Sequence, residues 1–208
     1  RTGVSIPEIG MGTWDYHAGP RPLRSGLEAG ALFIDTAESY GSEPAVGEAI
    51  RGFRERVFLA TKVSPHNFRP TDLRRSVESS LMRLGTDCVD LLQLHDPNPA
   101  IPIADTMGAV AELITAGKVK FAGVSNFSVM QLEAAQQALG KFSIVSNQVR
   151  YNLIDRTIER ELLPYCRAHQ VTVIAYCPLA RGLSRIGDCD PTGVIAELVR
   201  ETGKSPAQ

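Results

Sequence analysis

Val57-Phe58-Leu59-Ala60-Thr61-Lys62, a helical stripe, and then Val89-Asp90-Leu91-Leu92-Gln93-Leu94-His95 form the stretch on which the fold turns. The runs Val57–Ala60 and Val89–Leu94 do not alternate apolar with polar, which is the pattern of strands buried on both faces. Between them Leu73, Val77, Leu81 and Leu84 recur at helical spacing after Thr71, and Gly85 supplies the stop. Strand, helix and strand together make one βα repeat, and a series of such repeats implies a parallel sheet.

The pattern extends in both directions. Ala31–Ile34 precedes it, and Lys120–Val124, Phe142–Gln148 and Val171–Tyr176 follow. Helical stripes lie between them: Ile103, Met107, Val110 and Ile114 ending at Gly117, then Leu132, Ala135 and Leu139 between the N-cap Ser128 and Gly140. Ile158, Leu162 and Cys166 follow Asp155, and Val194, Ile195, Leu198 and Val199 run from Thr192 to Gly203. Six strands at a repeat of about 30 residues fit either an open doubly wound sheet or a (β/α)8 barrel, and a full barrel takes about 250 residues. The 208 residues are therefore expected to form one α/β domain, a (β/α)8 TIM barrel over residues 1–208 with about six of eight strands present and the C-terminal units missing. The polar, turn-rich stretch Gly182–Thr192 is a candidate mobile loop over the barrel mouth.

Composition narrows the function classes. Lys and Arg total 22 against 23 Asp and Glu, a net charge of −1, which argues against a nucleic-acid partner that needs a basic stripe. With 43% hydrophobic and 22% charged residues the chain is globular, and no segment approaches the roughly 20 apolar residues of a membrane span. The cysteines Cys88, Cys166, Cys177 and Cys189 form no C-x-x-C and have no His at metal-ligand spacing, so they read as reduced thiols of a cytosolic protein that needs no metal.

The chemistry is read at the strand ends. The six runs end at Asp35, Lys62, His95, Ser125-Asn126, Gln148 and Tyr176. In a parallel barrel all these ends share the face where catalysis takes place. A single polar strand end is usually a helix cap, but six in succession are not explained that way. Asp35 and Lys62 can neutralise each other, which removes the cost of burying either charge alone. Tyr40, five residues past Asp35, is a proton donor that a nearby Lys ammonium makes usable near neutrality. His95 can donate to or orient a carbonyl oxygen. No Ser-His or Cys-His pair is apparent, so a hydride from a cofactor fits better than a protein nucleophile. Trp14 lies in the glycine-rich segment Gly10-Met11-Gly12-Thr13-Trp14, which can approach the mouth, whereas a lone Trp is more often core. His17, His66 and His169 read as surface or loop residues.

These residues resemble the aldo-keto reductases. Phe33-Ile34-Asp35-Thr36-Ala37-Glu38-Ser39-Tyr40-Gly41-Ser42-Glu43 with Val46-Gly47 resembles the family's first signature. Ala60-Thr61-Lys62, Leu94-His95, Gly123-Val124-Ser125-Asn126-Phe127, Asn147-Gln148-Val149-Arg150-Tyr151-Asn152 and Ala175-Tyr176-Cys177-Pro178-Leu179-Ala180-Arg181-Gly182 resemble later blocks in the family's order. The last block is similar to the bacterial, potassium-channel-β-like branch. The resemblance implies a (β/α)8 barrel and NADP(H)-dependent reduction of aldehydes or ketones. It makes Tyr40 the general acid, tuned by Lys62 and Asp35, with His95 orienting the carbonyl. Ser125, Asn126 and Gln148 would bind the nicotinamide carboxamide and Tyr176 would stack on its ring. Cys177, Pro178, Leu179 and Arg181 would lie along the pyrophosphate, and Thr13, Trp14 and Asp35 complete the cofactor set. The family binds its dinucleotide without a G-x-G-x-x-G, and the chain has none. Two other readings stand beside this one: a dinucleotide-sensing regulatory subunit with little turnover, and a Schiff-base aldolase using Lys62.

Overall fold

The structure, a computed structural model, describes residues 3–182, 190 and 192–208. Most of the Gly182–Thr192 loop lies outside the described residues. The chain forms two compact units, Arg1–Asn147 and Gln148–Gln208.

In the first unit the strands are β1 (Gly10–Gly12), β2 (Phe33–Asp35), β3 (Phe58–Val63), β4 (Val89–Leu94) and β5 (Val119–Ser125), and β6 (Ile144–Arg150) begins there. The helices are α1 (Pro20–Glu28), α2 (Glu43–Ile50), α3 (Pro70–Leu84), α4 (Ile103–Thr115) and α5 (Val129–Leu139). From β1 to β5 each strand pairs in parallel with its predecessor, in chain order. A doubly wound sheet reverses its strand order at a switch point, and no reversal occurs here. The chain takes the α/β class of the (β/α)8 barrel. Seven strands are described rather than the expected six. The additional β1 is Gly-Met-Gly, with no β-branched residue to mark it, and is a strand because Gly12 pairs with Asp35.

β3 and β4 are buried along almost their whole length, as their unbroken apolar runs require. Successive helices pack against one another over them. The closest approach is at Gly47 of α2, where a Cβ would lie 2.6 Å from the Leu84 carbonyl oxygen. Only glycine lets α2 lie that near the end of α3. Ser128 caps α5 as expected, in a reciprocal capping box with Gln131.

The second unit holds the end of β6, α6 (Leu162–His169), β7 (Thr172–Tyr176) and α7 (Val194–Thr202). Contrary to the two-faced burial expected of it, β7 exposes Thr172 and Ala175. At the start of α7 the Asp190 carboxylate accepts from the amides of Val194 and Ile195. Cys88, Cys166 and Cys177 are free thiols, and burial pushes that of Cys166 up to about 11. Among the described residues no helix is long and apolar enough to cross a membrane.

Candidate active site

Register builds the site. Asp35 ends β2 opposite Ala60, and Lys62, two residues on, is the register partner of Gln93. Residues two apart on a strand share a face, so Asp35, Lys62 and Gln93 project to the same side of the sheet. The Lys62 ammonium donates to Asp35 Oδ2, and Gln93 Nε2 donates to Oδ1 at 2.9 Å. Lys62 is wholly buried and also donates to the Thr36 carbonyl at 3.1 Å. Burial pulls its ammonium below the ordinary lysine range, and the Asp35 carboxylate opposes that pull.

Tyr40 follows on a 3₁₀ turn, Glu38–Tyr40. Its hydroxyl lies 3.3 Å from His95 Nε2, with the two rings edge to face. Lys62 Nζ stands 4.8 Å from the centre of the Tyr40 ring. His95 directly follows β4, and its amide donates to the Val63 carbonyl. Burial and the neighbouring Lys62 charge pull its imidazolium below the ordinary range, against Asp96, Asp35 and Glu38. Both effects favour the uncharged imidazole. The four residues Asp35, Tyr40, Lys62 and His95, spread over sixty positions, meet at the C-terminal ends of β2, β3 and β4.

Glu38 fixes the turn that carries Tyr40. Its Oε1 accepts from the Ser64 amide at 2.6 Å and Asn67 Nδ2 at 3.0 Å, and its Oε2 from the Ser76 hydroxyl. Burial raises its carboxyl, but these bonds outweigh burial and leave it below the usual range. Thr13 is buried, donates to the Asp35 carbonyl and accepts from Ser42, while Trp14 beside it is 59% exposed and so no core residue. Ser125 is buried at the end of β5. Asn126 has a left-handed backbone, φ 61°, and its amide donates to Asp96 at 2.7 Å. Both ends of the buried Asn147 amide clamp the backbone of Phe127, which follows.

In the second unit Gln148 is buried in β6 and Tyr176 ends β7 with the Arg150 guanidinium 6.0 Å from its ring centre. Cys177, Ala180 and Arg181 all have positive φ, and two tight turns close at Ala180 and Gly182. Asn152 Nδ2 donates to the Cys177 carbonyl at 3.0 Å. Left-handed backbone at three non-glycine residues within five positions costs of order 1–3 kcal/mol each and is a mark of functional loops.

Sequence reasoning gave no role to Gln93 or Glu38. The signal for Gln93 was an amide inside the apolar run Val89–Leu94. Glu38 carried none of its own, because its partners come from the turn after β3 and from α3.

A model of the aldo/keto reductase family matches residues 8–192. The chain is 39% identical to the methylglyoxal reductase YeaE of Escherichia coli (strain K12) over 99% of its length and 75% of that protein. It is 38% identical to the aldo-keto reductase YhdN of Bacillus subtilis (strain 168) over 88% of its length, spanning 61% of that relative. A crystal structure of an aldo/keto reductase from Klebsiella pneumoniae in complex with NADP and acetate superposes with a TM-score of 0.83 at 38% identity, covering 97% of this chain and 75% of that one.

Proposed function

From the premise that this chain belongs to the aldo/keto reductase family, we propose that it reduces small aldehydes or ketones to alcohols with NADPH, Tyr40 giving the proton. The observation that carries this reading is the gathering of Asp35, Lys62, Tyr40 and His95 at one rim.

When bound, NADPH supplies a hydride for the carbonyl carbon. The protein's task is to deliver a proton to the oxygen. The Tyr40 hydroxyl gives up that proton and is left as phenolate. The Lys62 ammonium, 4.8 Å from the centre of that ring, favours the charged phenolate. Asp35 takes back part of this but keeps Lys62 charged despite burial. His95, uncharged, shares the Tyr40 hydroxyl and positions the carbonyl oxygen beside it. With its amine spent on Asp35 and the Thr36 carbonyl, Lys62 is poorly disposed to form a Schiff base.

The polar residues fit a dinucleotide. In the first unit, Ser125 and Asn126 after β5 offer a hydroxyl and an amide of the kind that pairs with a carboxamide, and Thr13 and Trp14 follow β1. In the second, Gln148 offers another amide, Tyr176 a ring, and Cys177, Pro178, Leu179 and Arg181 a strained turn with a cation for phosphate. The test is carbonyl-dependent oxidation of NADPH by the full chain. Because the Escherichia coli relative is named a methylglyoxal reductase, methylglyoxal heads the panel of aldehydes and ketones. Turnover is expected with at least one carbonyl, and no oxidation with any of them would overturn the proposal.

A further inference from the structure

We propose that Gln93 is a positioning residue of this acid–base site, its amide holding the Asp35 carboxylate in the orientation that keeps Lys62 charged beside Tyr40. The inference rests on the reductase reading for its kinetic consequence, but not for its structural one.

The Asp35 carboxylate has two oxygens in a nearly dry place. Lys62 occupies Oδ2 and Gln93 occupies Oδ1 at 2.9 Å. A carboxylate bonded at one oxygen alone could rotate and would be the poorer anion, since each donor to the charged form stabilises it. An amide adds that bond without adding charge. A second cation there would compete with Lys62, and an aliphatic chain would remove this donor from Oδ1.

The amide is itself fixed. Gln93 is fully buried on β4, in register with Lys62 on one side and Gly123 on the other. A Cβ at Gly123 would lie 3.2 Å from Gln93 Cγ and 2.5 Å from Ser146 Oγ, so the bare glycine leaves room for the glutamine stem. The charged and titratable groups around the pair are Asp35 on β2, Lys62 on β3, Glu38 and Tyr40 on the turn after β2, and His95 and Asp96 after β4. Glu38 is already satisfied by Ser64, Asn67 and Ser76. Gln93 is thus a neutral donor on Asp35 beside Lys62, which burial drives toward the uncharged amine.

Gln93→Met and Gln93→Leu keep bulk and remove the donor. In both, the Cε resonance of Lys62, followed by NMR without cofactor, should titrate at lower pH than in the unsubstituted protein. At neutral pH kcat should fall about tenfold with KM and NADPH affinity within about twofold. Unchanged Lys62 titration in a folded variant overturns the proposal, whatever happens to turnover. If neither variant folds, the side-chain amide resonance of Gln93 in the otherwise unsubstituted protein decides: it should shift on Asp35→Asn, and its failure to shift overturns the proposal. A displaced Lys62 titration in a chain that oxidises no NADPH would leave Gln93 in this role and sink the reductase reading alone.

Discussion

Asp35 and Asp90 are both carboxylates on the parallel sheet of the first unit, at opposite ends of their strands. Asp90, second residue of β4, accepts from Arg54 Nη1 at 2.8 Å, the Leu59 amide at 3.0 Å and Lys120 Nζ at 2.8 Å. Arg54 reaches on to the carbonyls of Val57 and Cys88, so this cluster ties the N-terminal ends of β3, β4 and β5 together. Asp35 has the same kind of partner, a cation, yet its surroundings are chemical. The difference lies in the cation. Arg54 cannot lose its proton, and Lys120 is half exposed. Lys62 is wholly buried, titratable and set against a phenol and an imidazole. An ion pair whose arginine cannot lose its proton anchors the sheet, whereas the buried, titratable Lys62 is the partner we propose for acid–base chemistry.

That contrast can be broken experimentally, most forcefully at Tyr40. Tyr40→Phe should lower kcat by about 10²–10⁴, the range of a lost general acid, with NADPH affinity and Tm nearly unchanged in steady-state and melting measurements. Unaltered turnover would remove Tyr40 from the mechanism. Asp90→Ala should do the reverse. It leaves Arg54 and Lys120 without their carboxylate and should cost roughly 3 kcal/mol in denaturant unfolding, at the lower end of the range for broken buried pairs because both cations reach solvent. Its kcat per folded molecule should hold, and a loss of kcat at full stability would erase the distinction between the two ends.

The smallest effect concerns pH. Glu38 has a folded-state pKa below its ordinary 4.5. Its contribution to stability is therefore complete above that value and lost as pH falls through the lower folded one. Glu38→Gln should flatten the acid side of a Tm-against-pH curve while leaving the neutral side with a constant offset. An acid limb that stays as steep as before would show that Glu38 does not titrate with folding.

Much of this was legible in the chain. Asp35, Lys62 and His95 announced themselves as titratable residues closing apolar runs, the pattern of strand ends in a parallel sheet. Ser128 announced a helix start through its own capping chemistry. What was hidden depended on partners distant in sequence. Gln93 is one polar letter inside a strand until β2 places Asp35 opposite its amide. Glu38 sits in the same signature as Tyr40, but its donors arrive from Ser64, Asn67 and Ser76. β1 was invisible because two of its three residues are glycines, so pairing with β2 and not propensity makes it a strand.

On the proposed mechanism Asp35, Lys62 and Tyr40 act as one proton-delivering unit. A double-mutant cycle in kcat with Asp35→Asn, Tyr40→Phe and both together tests it most directly. Residues serving a single step lose their effect once that step is gone, so the double variant should be no more than a fewfold slower than Tyr40→Phe alone. Losses that multiply in full would show the carboxylate and the phenol working independently, and would contradict the account.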